Sequence, residues 1–136
     1  MKVEDIMSKQ VECVLPRSSL TEAASKMKDQ DVGCLAVTDD GTPVGLVTDR
    51  DIALRGVANG KGPNDATVAD VLTQGVIWCR QDDDLETAAH RMEERGVRRL
   101  LVQDDDGQLA GVLSLGDVAH RDESTAGRVL GRIFEA

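Results

Sequence analysis

A chain of 136 residues, 40% hydrophobic and 30% charged, carries enough apolar material for a compact core and too much for a disordered segment. Its formal net charge of −9 excludes a duplex-binding surface, which needs clustered Lys and Arg to displace counterions. No apolar run approaches the roughly 20 residues of a membrane span, and Met1–Asp5 lacks the basic-then-apolar order of a secretory leader, so no membrane, no nucleic acid and a cytoplasmic location are expected. Trp78 and Phe134 are the only aromatics, so the core must be built from aliphatic residues, Ala and Met. Cys13, Cys34 and Cys79 are odd in number and lack CxxC spacing, which suits reduced thiols in a reducing compartment.

In chain order, Val11–Val14 suits a short strand. Leu20, Ala23, Ala24 and Met27 then fall at the i, i+3, i+4 and i+7 spacing of a helix stripe, and Ser19 with Glu22 resembles a capping box at its start. Cys34–Val37 and Val44–Val47 flank Asp39-Asp40-Gly41, a hairpin signal, and a helix follows from about Asp49. Asn59–Ala66 contains Gly and Pro and reads as a linker. Val76–Cys79 suits another strand, Asp84 can cap a second helix, and a further helix is expected from about Leu115.

The second half repeats the first. A shift of 65 positions lays Val3 on Val68, Val11 on Val76, Leu20 on Leu85, Met27 on Met92 and Val37 on Val102. One extra residue in the acidic turn makes the shift 66, after which Gly45 matches Gly111, Asp51 matches Asp117 and Arg55 matches Arg121. The expected organisation is a β-α-β-β-α copy over residues 1–58, a linker over 59–66, a second copy over 67–122 and a helical tail over 123–136, with Val129, Leu130 and Ile133 at helical spacing. One copy alone would bury too little surface to be stable, so the fold class is α/β (α+β): two pseudo-symmetric copies packed sheet to sheet.

In each copy the third strand runs into a helix through a matching peptide, Gly45-Leu46-Val47-Thr48-Asp49-Arg50-Asp51 and Gly111-Val112-Leu113-Ser114-Leu115-Gly116-Asp117. A glycine admits close backbone approach, a hydroxyl where a helix opens favours an anion, and an Asp one turn on can accept both hydroxyls of a ribose diol. Thr48-x-x-Asp51 and Ser114-x-x-Asp117 are equally capping boxes in the broad sense. Spacing alone leaves both roles open.

The doubled peptide, with Asp5-Ile6-Met7 at the start and the long inter-repeat stretch, resembles a tandem pair of cystathionine-β-synthase (CBS) domains, and in particular the stand-alone bacterial pairs of the hypoxic response protein type. The resemblance covers roughly residues 3 to 122. It implies an adenosine-containing ligand in the cleft between the copies: AMP, ADP, ATP or NAD, with S-adenosylmethionine ranked below them, and no required cofactor. It also implies a homodimer and a regulatory role toward an unknown protein target. By position, Asp51 and Asp117 would hold ribose hydroxyls, and Thr48 and Ser114 phosphate or ribose oxygens. Adenine would lie against Val11, Glu12, Val32 and Gly33 in copy one and against Val76, Ile77, Val97 and Arg98 in copy two. Arg50 in copy one and Arg98 with Arg99 in copy two are candidate phosphate contacts or surface charges.

Other chemistry finds less support in the residues. His90 and His120 have no ligand-spaced partners, and the acidic runs Asp82–Asp84 and Asp104–Asp106 read as a helix start and a turn, so no metal is expected. The cysteines lie in apolar strands without a base, so no catalytic residue is assigned, although Cys13 and Cys34 could pair if their strands meet. The alternatives to a ligand sensor are a stress-related scaffold dimer with structural capping boxes and no physiological nucleotide, and, more remotely, a small nucleotide enzyme.

Overall fold

The computed structural model describes residues 1–75 and 77–135. It is a mixed α and β chain that divides into two compact units, Glu12–Val76 and Met1–Val11 with Ile77–Ala136.

In the unit Glu12–Val76, a four-stranded sheet runs in the order β1 (Cys13–Val14), β2 (Cys34–Asp39), β3 (Thr42–Thr48), β4 (Thr73–Gln74). The first pair is parallel, with Cys13 opposite Ala36, because helix α1 (Leu20–Gln30) carries the chain back across the sheet. The hairpin between β2 and β3 turns at Asp40 and Gly41, both at positive φ. Ser19 caps α1, its Oγ accepting from Glu22 N at 3.0 Å. Leu20, Ala23 and Met27 are buried, but Ala24, expected in the stripe, faces solvent. The packing explains this: α1 has no second long helix along it as α3 does, so its apolar face is narrow. Residues 59–66 run beside the start of α1, where Pro63 O accepts from Thr21 N and Ala66 O from Leu20 N. Val68 and Val71 then close the core over Leu20, Leu35, Val37 and Val47.

The other unit repeats this plan with a three-stranded sheet, β5 (Trp78–Arg80), β6 (Arg99–Gln103), β7 (Leu109–Ser114). Helix α3 (Leu85–Arg95) buries the full expected stripe of Leu85, Ala88, Ala89 and Met92. A second helix, α5 (Glu123–Glu135), packs along it and supplies Ala126 and Val129 to the core, which is why Ala89 is covered where Ala24 is not. Arg128 ties the two helices, donating to Glu93 Oε1 at 2.6 Å and Glu86 Oε1 at 2.5 Å. Asp84 holds the N-cap position of α3, but its side chain accepts no capping bond. The N-terminal segment completes the unit: Val3 lies in the core, and Ser8 pairs with Val112.

Strand boundaries differ from the sequence expectation in both directions: β2 runs on to Asp39, and β3 begins at Thr42, before the apolar run Val44–Val47. The first strand begins at Cys13 rather than at residue 11 in the unit Glu12–Val76, and at Trp78 in the other unit, where residue 76 lies outside the described residues. Residue-by-residue pairing with β2 and β6 starts there, although Glu12 O and Ile77 O already accept from Ala36 N and Leu101 N. No helix among the described residues is long and apolar enough to cross a membrane.

Candidate functional site

The first motif peptide closes β3 and opens α2 (Asp49–Asp51), which continues as a π-helical run, Ile52–Gly56. Thr48 is the N-cap, its Oγ1 accepting from Asp51 N at 3.0 Å while Asp51 Oδ2 accepts from Thr48 N at 3.0 Å. This is a reciprocal capping box. Asp51 has further partners that lie outside the motif. Thr73 Oγ1 donates to it, 3.4 Å from Oδ1 and 3.3 Å from Oδ2, and Arg55 Nε lies 4.0 Å from Oδ1. Arg55 also donates to the carbonyl of Leu72 at 3.1 Å. Asp51 is only 8% exposed.

The second peptide closes β7 and opens α4 (Leu115–Ala119) with the same box: Ser114 N to Asp117 Oδ2 at 2.8 Å and Asp117 N to Ser114 Oγ at 3.0 Å. Here the resemblance ends. Ser8 stands where Thr73 stands in the repeat, yet its hydroxyl turns to Gln10 O. Arg121, the match of Arg55, lines a surface hollow with Met1, Asp84 and Asp122. Asp117 is half-buried and receives no side-chain donor among the described residues.

The two glycines of the motif serve a purpose other than the expected ligand approach. A Cβ at Gly45 would run into Thr73 O, and one at Gly111 would meet Ser8 O at 2.6 Å. In both units a chain segment, not a ligand, lies against the glycine. The repeat shift that pairs Ser8 with Thr73 was the available signal, since it marks the same short segment before each first strand.

The remaining candidates gather around the peptides unequally. Gly33 O accepts from Asp49 N at 3.0 Å, which sets Gly33 beside the first box, and Arg50 is exposed close by. Glu12 O accepts from Ala36 N, and its carboxylate is 3.7 Å from Lys26 Nζ. Val32 is 39% exposed. Val11 falls in the other compact unit. Around the second box, Arg98 O accepts from Leu115 N at 2.8 Å, and Arg99 is in register with Ser114. Ile77 O accepts from Leu101 N, and Val97 is half-buried. Val76 lies outside the described residues.

Each unit also anchors its first strand through a cation on the following helix. Lys26 Nζ donates to Cys13 O at 2.6 Å, and Arg91 donates to Trp78 O. Cys79 is 1% exposed, and burial pushes its thiol up to about 12, which removes it as a nucleophile. Burial also raises the Cys13 thiol, with Lys26 opposing. Cys13 and Cys34 are half-buried rather than interior. His90 engages Glu94 at 3.0 Å on the exposed face of α3, and Asp104 accepts from Asp106 N and Gln108 N in the turn expected there. No group of three or more His, Cys, Asp or Glu among the described residues could hold a metal ion.

The CBS domain family model matches the chain twice, over residues 3–56 and 68–124. This chain belongs to the CBS-domain family. It is a CBS pair with an internal repeat. It is 37% identical to the CBS domain-containing protein YhcV of Bacillus subtilis over 133 residues, covering 96% of this chain and 94% of that protein. An uncharacterized Methanopyrus kandleri protein, MK0525, is 31% identical over 104 residues, covering 76% of this chain, which spans only 53% of that protein's length. Among solved structures, Hypoxic Response Protein I with two coordinated zinc ions is similar at TM-score 0.76 and 33% identity, covering 89% of this chain and 98% of that one. The CBS pair of protein MJ0100, in complex with 5′-methylthioadenosine and S-adenosyl-L-methionine, has a TM-score of 0.77 at 26% identity, covering 88% of this chain and 94% of that one.

Proposed function

We propose that this CBS pair is a regulatory module that senses an adenosine-containing ligand, AMP, ADP, ATP or NAD, and passes its occupancy to a protein partner. The observation that carries the reading is Asp117. Its Oδ2 is held by the Ser114 N–H, which fixes the carboxylate, while Oδ1 has no protein donor among the described residues. A carboxylate offers about four acceptor positions, enough to keep the cap and still take both hydroxyls of a ribose. The capping and ligand roles that spacing left open are therefore compatible in one side chain. The adenosine compounds bound by the MJ0100 pair support the ligand class.

Ser114 and Thr48 would meet ligand oxygens, and Val97, Ile77, Val32, Gly33 and Glu12 would border the base. The module acts by binding rather than catalysis, in the cytoplasm, as a homodimer. A scaffold dimer without a nucleotide is the second reading, favoured by Asp51, whose oxygens already have protein partners. Isothermal titration of the whole chain with AMP, ADP, ATP, NAD and S-adenosylmethionine separates the two. Saturable binding of an adenine nucleotide is expected; silence to all five would leave the scaffold.

A further inference from the structure

Helix α5 covers one unit and has no counterpart in the other, and the repeat shows what that leaves bare. In its own unit α5 lies on both α3 and α4; Ala89 and Val118 are buried there and Ala119 is half-buried. The matching residues of the unit Glu12–Val76 are Ala24, Ile52 and Ala53. Ala24 and Ala53 are exposed, and Ile52 is half-buried. These residues are neighbours in space: Ile52 packs on the core beneath α1, and Gly56 backs onto α1, where a Cβ would come 2.8 Å from Leu20 Cδ1. Val57, about one turn beyond Ala53 and 66% exposed, extends the apolar face. The inter-repeat stretch reaches the start of α1, where Pro63 O and Ala66 O accept from Thr21 N and Leu20 N, and leaves Ala24 uncovered one turn further on.

The charges say what kind of helix fits. On the covered face, Arg128 of α5 donates to Glu86 and Glu93 of α3. By the repeat, Thr21 and Lys28 stand where Glu86 and Glu93 stand, and Lys28 joins no ion pair among the described residues. Of the other charges nearby, Lys26 is held by Glu12 and by Cys13 O, and Arg55 by Asp51 and by Leu72 O. Glu22 and Asp29 fall on the far side of α1 from Ala24 by helical spacing, and Asp31 ends the helix. A helix seated here as α5 is seated on α3 therefore meets an unpaired ammonium. A carboxylate suits that place, whereas α5 of a second copy would bring Arg128 against Lys28.

We propose that the face of Ala24, Ala53 and Val57 is a docking surface for an amphipathic helix of a partner protein, with small apolar residues inward and a carboxylate at the position that Arg128 holds in α5. This surface is independent of the nucleotide reading and gives the module a place to engage its target.

The probe is a peptide of the α5 sequence, Glu123–Glu135, carrying Arg128→Glu. It also carries Gly127→Ala and Gly131→Ala, which favour the helix at two positions that face open space. Its fluorescence anisotropy is followed as the full chain is added. Saturable binding is expected, weakened by about tenfold or more by Lys28→Glu, which sets like charges face to face. The same peptide with Arg128 kept should show the reverse preference. Ala24→Arg should abolish binding and, at an exposed helical position, hold Tm within about 2 °C. No saturable binding, or binding indifferent to Lys28 and Ala24, would overturn the proposal. So would sedimentation of the peptide-free chain as a dimer that Ala24→Arg dissolves, because a second copy would then cover the face.

Discussion

The two units repeat each other most faithfully where the backbone decides and least where side chains face outward. Both make the capping box after the third strand, both anchor the first strand to a helix cation, and both carry an irregularity in the β2–β3 or β6–β7 pairing at matching residues, Val37/Thr38 and Val102/Gln103. Yet Asp31 stands where Gly96 stands, Ala24 is exposed where Ala89 is buried, and Gly33 and Asp49 stand where Arg98 and Leu115 stand. Local hydrogen-bonding geometry tolerates little substitution, because an unmade bond to a buried group costs the full desolvation of that group. An exposed rim has no such constraint and is free to specialise.

The largest test of this shared backbone is at its two tight glycines. Gly45→Ala and Gly111→Ala should each cost about 3 kcal/mol, because the intruding methyl meets backbone that cannot swing away. Urea unfolding should show equal losses; a loss at one site alone would mean that one neighbouring segment is dispensable. Next come the strand anchors. Lys26→Met and Arg91→Met each leave a strand carbonyl without its cation and should cost about 1–3 kcal/mol. Asp31→Gly should stabilise by about 1 kcal/mol, since Asp31 ends α1 at φ 54 where its counterpart is already glycine. Gly96→Ala should lose a similar amount, and a swap of the two signs would break the comparison. Alkaline titration gives the smallest effect near neutrality. Cys79 has its thiol raised in the folded chain, so the stability from keeping it neutral is complete below pH 9 and is lost as pH climbs toward about 12. Cys79→Ala should flatten that alkaline decline.

Much of this is legible in the sequence. The repeat, the two long helices, the hairpins and both capping boxes follow from spacing, because each rests on residues within a few positions of one another. Thr48 with Asp51 and Ser114 with Asp117 are such pairs. What escaped were contacts across the chain. Thr73 reaches Asp51 from 22 positions away, and a two-residue strand such as β4 has no periodicity to announce it. Spacing presents the motif glycines as openings for a ligand because nothing in it says that Thr73 and Ser8 arrive there instead. The exposure of Ala24 was hidden for the converse reason: the stripe is present, and only the absence of a second covering helix leaves it bare.

One feature of the chain path bears on why such repeats come in twos. The segment that completes the unit Glu12–Val76 is supplied just before the second strand set begins, and the segment that completes the other unit is the chain's own beginning, Met1–Val11. The stretch that was duplicated and the stretch that folds are thus out of phase by about ten residues. A single copy cut at the sequence repeat would hold its closing piece at its front rather than after its third strand. In the pair, the opening segment of each copy enters the core built from the other, as Val3 and Val68 do, so neither core is filled from its own copy alone.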